Sequence, residues 1–291
     1  MHSILVTGAT GNVGTEVIRF LAESENFRKT FQLTAGIRKP KQNFMDFNGI
    51  SLPALDFDFE QAATFGRVLQ NFDILFLLRP PQLADVEKYF APLVQAAVQQ
   101  KVKHIVFLSV QGAETSRVIP HHKIEKLIVD SRIPYTFLRP GYFMQNFNTT
   151  LHKDLKEEQL ISLPAGNARF SLVDVRDIGR AAAVVLENTE KHRNKAYLLT
   201  GEKNYTFAEM AQILTQVLGK TIRFQSPSLF KFWRQQRKAG VATGMILVLA
   251  MLHYLPRFQN DPVLGDTLRQ LTGRQPVDFR QYVQDYREQL R

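Results

Sequence analysis

The stretch Ile4-Leu5-Val6-Thr7-Gly8-Ala9-Thr10-Gly11-Asn12-Val13-Gly14 decides how the rest of the chain is read. Three consecutive apolar residues suit a buried strand, and Val13, Val17, Ile18 and Leu21 then recur at helical spacing. A strand, a glycine turn and a helix thus follow one another in the order of a dinucleotide site. Gly8 permits a tight turn, Gly11 lets main chain approach a pyrophosphate, and Gly14 lets the helix pack closely. The helix start, at Thr10, Gly11, Asn12 and Val13, offers an anion free N–H groups and a partial positive charge. The spacing is G-x-x-G-x-x-G and not the commoner G-x-G-x-x-G, so the flanking strand and helix carry as much of the reading as the glycines.

Working outward, short β-rich runs alternate with helical patterns through the first 200 residues, as in a parallel sheet covered on both faces. Strands are expected at 3–7, 32–37, 50–55, 73–78, 104–109, 135–138 and 196–199. Val86, Phe90, Leu93, Val94, Ala97 and Val98 mark an amphipathic helix between two of them. Beyond residue 200 the pattern turns mainly helical, with Thr206 capping a helix over 207–218 and Gly219 closing it. Asp177 is expected to cap the helix that runs on through Ala181, Ala182 and Ala183. The expected architecture is an α/β, Rossmann-type doubly wound parallel sheet with a smaller, mainly helical C-terminal substrate lobe. Residues 1–150 form the nucleotide-binding core, completed by 168–200, and 201–291 form the lobe, which is too dependent on its neighbours to be autonomous.

Composition narrows the chemistry. There is no cysteine, so disulfides and thiolate catalysis are excluded. The first strand begins too early to leave room for a cleaved signal peptide, and cytoplasm is the expected compartment. The longest apolar run, 241–255, falls short of the roughly 18 to 20 residues that span a bilayer. A net charge of +10 invites nucleic acid or anionic lipid as a partner. No helix-turn-helix, zinc-finger or RNA-binding signature accompanies the charge, so nucleic acid is not expected. The densest basic cluster, Lys231, Arg234, Arg237 and Lys238, is interleaved with Phe230, Phe232 and Trp233 just before the apolar run. It reads either as a membrane-surface helix or as a solvated face beside a hydrophobic lid, and the second is the expectation, with no membrane contact.

The end of the second strand selects the cofactor. An acid there would bind a ribose 2′-hydroxyl, but the strand ends Gly36-Ile37-Arg38-Lys39, with no acid before Asp46. A guanidinium grips a 2′-phosphate with two parallel hydrogen bonds, so Arg38 favours NADP(H) over NAD(H). Asp56 and Phe57, after the third strand, are candidates for the adenine edge and face. Leu78 and Arg79 end the fourth strand and Ser109 the fifth, at the carboxyl edge where open α/β sheets bind ligands.

The runs HIVFLSVQGAE (104–114), HHKIEKLIVDSRIPYTFLRPGYFMQNF (121–147), VDVRDIGRAAA (173–183), YLLTGEKNYTFAEMA (197–211) and LTGRQPVDFRQYV (271–283), with the glycine turn and the basic strand end, resemble the NmrA-like family nearly end to end. That family of atypical short-chain dehydrogenases/reductases includes NADPH-dependent quinone, azo-dye and triphenylmethane-dye reductases and redox-sensing regulators. The resemblance implies that Pro140, Gly141, Tyr142 and Phe143 neighbour the nicotinamide. It also matches His122 and Glu125 to a histidine and a glutamate often found in the family. These two are three apart on one helix face, where the carboxylate can orient the imidazole and Lys123 reach the cofactor ribose. Equally, His122 can be a packed helix-start residue and Glu125 its surface partner. The Tyr-x-x-x-Lys pair of mainstream short-chain dehydrogenases is absent, since none of the eight tyrosines has a lysine four places on.

Hydride transfer to a planar conjugated acceptor needs stacking on the nicotinamide more than a strong protein acid. Tyr142, Phe143, Phe147, Phe170 and the apolar run 241–255 are candidates for an aromatic slot, in competition with ordinary core packing. The expected function is an NADPH-dependent reductase of a quinone, azo dye or similar acceptor, without a metal. The alternative is a non-catalytic NADP(H)-binding redox sensor that regulates a protein partner. A small quinoid or aromatic substrate is the expected partner, and a homodimer is compatible with the sequence.

Overall fold

The computed structural model describes residues 2–47 and 49–291. Seven strands in chain order, β1 (His2–Thr7), β2 (Phe31–Ile37), β3 (Phe44–Phe47), β4 (Ile50–Asp56), β5 (Ile74–Leu78), β6 (His104–Leu108) and β7 (Tyr135–Pro140), join a strand at Lys195–Leu199 in one sheet. From the Lys195–Leu199 edge the order is β7, β6, β5, β1, β2, β4, β3, and every pairing is parallel except β3 with β4. The chain thus winds outward in both directions from β1, which makes the gap between β1 and β5 the topological switch point, the place where such sheets bind ligands. Apolar side chains on both faces explain the continuous hydrophobic runs: Ile4, Leu5, Val6, Leu75, Phe76 and Phe107 are all fully buried.

The chain divides into two compact units. The first comprises 1–140, 175–199 and 267–274; the second comprises 141–174, 200–266 and 275–291. The expected boundary at residue 150 therefore moves to 140, and 168–174 leave the nucleotide-binding core. Residues 267–274 join it, because helix Thr267–Thr272 packs on helix Val175–Glu187 and on the Lys195–Leu199 strand.

The second unit is less helical than its sequence suggests. Tyr142–Phe143, Arg169–Val173 and Asn204–Thr206 form a three-stranded sheet, and Leu160–Ser162 pairs with Arg223–Gln225. These strands are two to five residues long, too short to show a period of two. Helix Phe207–Leu218 appears at its expected bounds, with a capping box between Thr206 and Glu209 and Gly219 in the left-handed region at φ 72°. The expected helix through residues 86–98 is broken instead: Val86–Tyr89 ends at Phe90, and Pro92 opens Ala91–Gln99. Asp177 is the third residue of helix Val175–Glu187, where it accepts from Arg180 at 3.2 Å, so it lies inside the helix and not at its cap.

Candidate functional site

The glycine turn is built almost wholly from main chain. Gly8 leaves β1 at φ 61°, a conformation that side chains resist, and its carbonyl accepts from Gly11 N–H at 3.0 Å. Gly11 then starts helix α1 (Asn12–Glu23) with no side-chain cap, and no acid occupies the first turn. The orphan N–H groups of that turn are therefore left for a ligand. Gly14 has a different reason from the one its position suggests. A Cβ there would sit 2.3 Å from the Gly8 carbonyl oxygen and 2.9 Å from Ala9 Cα, so it permits the turn itself to close, not the helix to meet a strand. From the other side, Gly179 of helix Val175–Glu187 comes so near α1 that an added Cβ would meet Glu16 Cβ at 2.6 Å.

The turn opens beside the switch point. Thr7 Oγ1 donates to the Phe76 carbonyl at 3.2 Å and accepts from Leu78 N–H at 2.9 Å, tying the end of β1 to the end of β5. Arg38, one residue beyond β2, is exposed and has no hydrogen bond or ion pair among the described residues. The main chain beside it is shaped by Asp56, whose Oδ1 accepts from Lys39 N–H at 2.8 Å while Lys39 holds φ 48°. Phe57 is 3 % exposed, meets Phe59 edge to face and stacks on Phe65, so its ring belongs to the core and is not a face for adenine. Arg79 is also committed: it donates to the carbonyls of Pro80, Pro81 and Leu83 and to His121 Nε2 at 3.3 Å. Desolvation lowers that guanidinium to about 10, and desolvation with Arg79 alongside pushes His121 down to about 3.

At the ends of β6 and β7 the structure replaces the expected His122–Glu125 pair with another cluster. Glu125 is buried on helix Pro120–Asp130 and accepts from Ser109 Oγ at 2.5 Å. Arg139 clamps the same carboxylate through Nε at 3.0 Å and its terminal nitrogen at 2.6 Å, and lies 3.4 Å from Glu114. The hydrogen bond to Glu125 raises the Arg139 guanidinium above its ordinary range. Glu125 thus turns inward to a guanidinium, a better partner for a buried carboxylate than a neutral imidazole. His122 points its Nδ1 at the Ala113 carbonyl, 2.7 Å away; a carbonyl only accepts, so Nδ1 carries the proton and Nε2 is the open ring position. Lys123 lies on the exposed face of the helix, away from the buried side of Ile124, Glu125 and Ile128.

Within the second unit, Gly141 precedes Tyr142–Phe143 where a Cβ would strike the Ser171 carbonyl oxygen at 2.3 Å. Tyr142 is 9 % exposed, and its hydroxyl lies 3.1 Å from His253 Nε2. His253 Nδ1 faces the Leu249 carbonyl at 2.7 Å, which fixes the tautomer and makes Tyr142 the donor. Burial raises the Tyr142 phenol and lowers His253 to about 4. Phe147 and Phe170 are turned into the core with Phe207 and Phe279, so neither lines an open slot; Phe143 is half-buried. Large aromatic side chains are the main supply of buried area, and these two are used that way.

Likeness to known proteins agrees with this geometry. The model of the NmrA-like family matches residues 1–255. The chain belongs to the NmrA-like family. It is 29 % identical to prestalk A differentiation protein A of Dictyostelium discoideum, over 97 % of this chain and 92 % of that protein. Its identity to quinone oxidoreductase 2 of Escherichia coli is 29 %, over 85 % of each chain. The NAD(P)H azoreductase of Xenophilus azovorans is also 29 % identical, over 96 % of each. Among solved structures, Citrobacter sp. triphenylmethane reductase complexed with NADP(H) superposes with a TM-score of 0.81 at 27 % identity, covering 97 % of this chain and 99 % of that one.

Two partnerships of this NmrA-like chain were not readable in advance. Arg139 sits in the quoted motif, but its bond to Glu125 joins residues 14 apart on different elements. The Tyr142–His253 pair spans 111 residues. His253 lies in an apolar run, and an imidazole there is the sequence signal that a buried partner awaits it.

Proposed function

We propose that this protein is an NADPH-dependent reductase that passes hydride to a quinone, azo dye or similar planar conjugated acceptor. One observation carries the reading: an uncapped, acid-free helix start behind a glycine turn, with an arginine one residue past β2 that has no partner among the described residues, in a chain resembling the triphenylmethane reductase–NADP(H) complex along 97 % of its length. The residues present fit a phosphorylated dinucleotide. The turn closes because Gly14 carries no Cβ to strike the Gly8 carbonyl, and its amides suit a pyrophosphate. Arg38, without a partner among the described residues, supplies a fork for the 2′-phosphate, while Asp56 on the adjoining strand accepts from Lys39 N–H.

In this reading the amides of Thr10, Asn12 and Val13 hold the diphosphate, Gly11 N–H being spent on the Gly8 carbonyl, and Arg38 sets the preference for the phosphorylated coenzyme. NADPH, when bound, supplies the hydride. The Ser109–Glu125–Arg139 cluster positions the ends of β6 and β7, with Glu125 held by hydrogen bonds from Ser109 and Arg139. Protonation of the reduced oxygen or nitrogen is left to solvent or to a weak acid, for which His122 offers Nε2 as an open ring nitrogen on helix Pro120–Asp130.

The test mixes purified protein with NADPH or NADH and a panel of quinones, azo dyes and triphenylmethane dyes, and follows the absorbance of the reduced nicotinamide. Acceptor-dependent oxidation that favours NADPH is expected. Tight NADPH binding without turnover of any acceptor would transfer the reading to a redox sensor.

A further inference from the structure

The second unit carries a surface that nucleotide binding does not use. Helix Thr243–Tyr254 is apolar on every face, yet only one side of it is packed: Ile246 and His253 are buried, and Leu249 and Ala250 lie against the core. Leu247, Val248, Met251, Leu252 and Leu255 fall on the opposite side at helical spacing and are exposed, Leu247 by 51 % and Met251 by 48 %. An all-apolar helix is ordinarily covered all round, so this stripe lacks a cover among the described residues.

The neighbouring helix, Leu229–Lys238, packs against it and says what the cover is. Phe232 anchors that helix in the core, while its outward face carries Phe230, 76 % exposed, among Lys231, Arg234, Arg237 and Lys238. None of the four cations is in an ion pair among the described residues; Arg237 donates to Thr243 Oγ1 at 3.0 Å. Across residues 210–260 there are seven Lys or Arg and no Asp or Glu. A chain with 27 acidic residues has kept every one of them out of this segment.

We propose that the two helices form a docking face for an anionic bilayer surface, with the apolar stripe entering the headgroup boundary and the cations pairing with lipid phosphates. Apolar side chains beside unpaired Lys and Arg are the composition of an interfacial helix. Spanning is a separate matter: no helix among the described residues is long and apolar enough to cross. A second copy of the chain is a poorer cover, since a self-association would bring the same cations together without a counter-charge. Duplex nucleic acid would neutralise the cations but leaves the apolar stripe in water. The inference stands apart from the reductase reading, because vesicle binding requires neither nicotinamide nor turnover.

The full-length protein is sedimented with phosphatidylcholine vesicles with and without phosphatidylserine, at low and high salt. Binding is expected only to the anionic vesicles and is weakened by salt. Each cation near an anionic surface contributes a roughly fivefold factor, so R234A/K238A should lower partitioning roughly 20- to 30-fold. L247Q/M251Q, at exposed positions, should lower it more than tenfold while leaving the thermal midpoint unchanged. Equal binding to neutral and anionic vesicles, or to neither, overturns the proposal. So does a dimer whose formation buries the stripe and is abolished by L247Q/M251Q, or duplex DNA that competes the protein off the vesicles.

Discussion

The glycine turn at residues 7–14 and the cluster around Glu125 both lie at the carboxyl edge of one sheet, yet they hold their groups in opposite ways. In the turn the donors are main-chain amides, fixed by a left-handed Gly8 and a closed Gly11-to-Gly8 hydrogen bond. In the cluster they are side chains, fixed by a carboxylate that Ser109 and Arg139 share. A main-chain site is set by residues next to one another in sequence. A side-chain site is set by which strand ends meet which helix face. The first should break with any added atom and the second with any lost charge.

The largest effect is expected at Gly14. Adding one methyl places a carbon against the Gly8 carbonyl, which cannot step aside as a flexible side chain would. Gly14→Ala should destabilise by about 4 kcal/mol or more and abolish NADPH binding, measured by urea unfolding and calorimetry. Next is Glu125→Ala, which strips Arg139 of its close partner; about 3 to 5 kcal/mol of stability should go, and Glu125→Gln should lose less. Wild-type behaviour of Gly14→Ala together with collapse of Glu125→Ala would invert the contrast.

Acid should weaken both units in parallel. His104 in the first and His253 in the second are buried and neutral, each lowered from 6.5 to about 4, mainly by desolvation. The unfolded imidazoles take up protons near 6.5 and the folded ones only near 4, so stability is complete above 6.5 and falls as pH drops through that window. Unfolding free energies from urea titrations at pH 7 and near the lower value should differ by about 2 to 3 kcal/mol per histidine. His253→Gln should flatten that dependence.

A smaller and more selective loss is expected for Arg38→Ala: roughly 1.5 to 3 kcal/mol in NADPH binding and far less in NADH binding, by calorimetry with each coenzyme. Equal losses would remove Arg38 from the phosphate site. His122→Ala comes last. Its single hydrogen bond to Ala113 is worth about 1 kcal/mol, and turnover at neutral pH should fall less than tenfold if solvent can supply the proton.

The same contrast explains what the sequence revealed. Seven strands of the main sheet were legible to within two residues at each end; the central ones, β1, β5 and β6, are buried on both faces and read as apolar runs. Thr206 and Gly219 marked a helix to the residue, since caps are local chemistry. The antiparallel edge strand Phe44–Phe47 was missed; its Phe44 is 57 % exposed, so no apolar run announces it. Phe57 and Glu125 were placed on their correct elements but given the wrong neighbours. An aromatic after a strand faces ligand or core according to what packs over it, and here Phe59 and Phe65 do. A glutamate three residues from a histidine shares its helix face only until a guanidinium from another strand offers two hydrogen bonds.

Each compact unit is assembled from three separate segments of chain, and the last pieces are 267–274 for one and 275–291 for the other. Neither unit is finished early in synthesis: β1 and its glycine turn must wait for helix Thr267–Thr272, which they share a unit with and which follows more than 250 residues later. A cut anywhere near residue 200, attractive on composition alone, would yield two fragments that each lack part of their own interior.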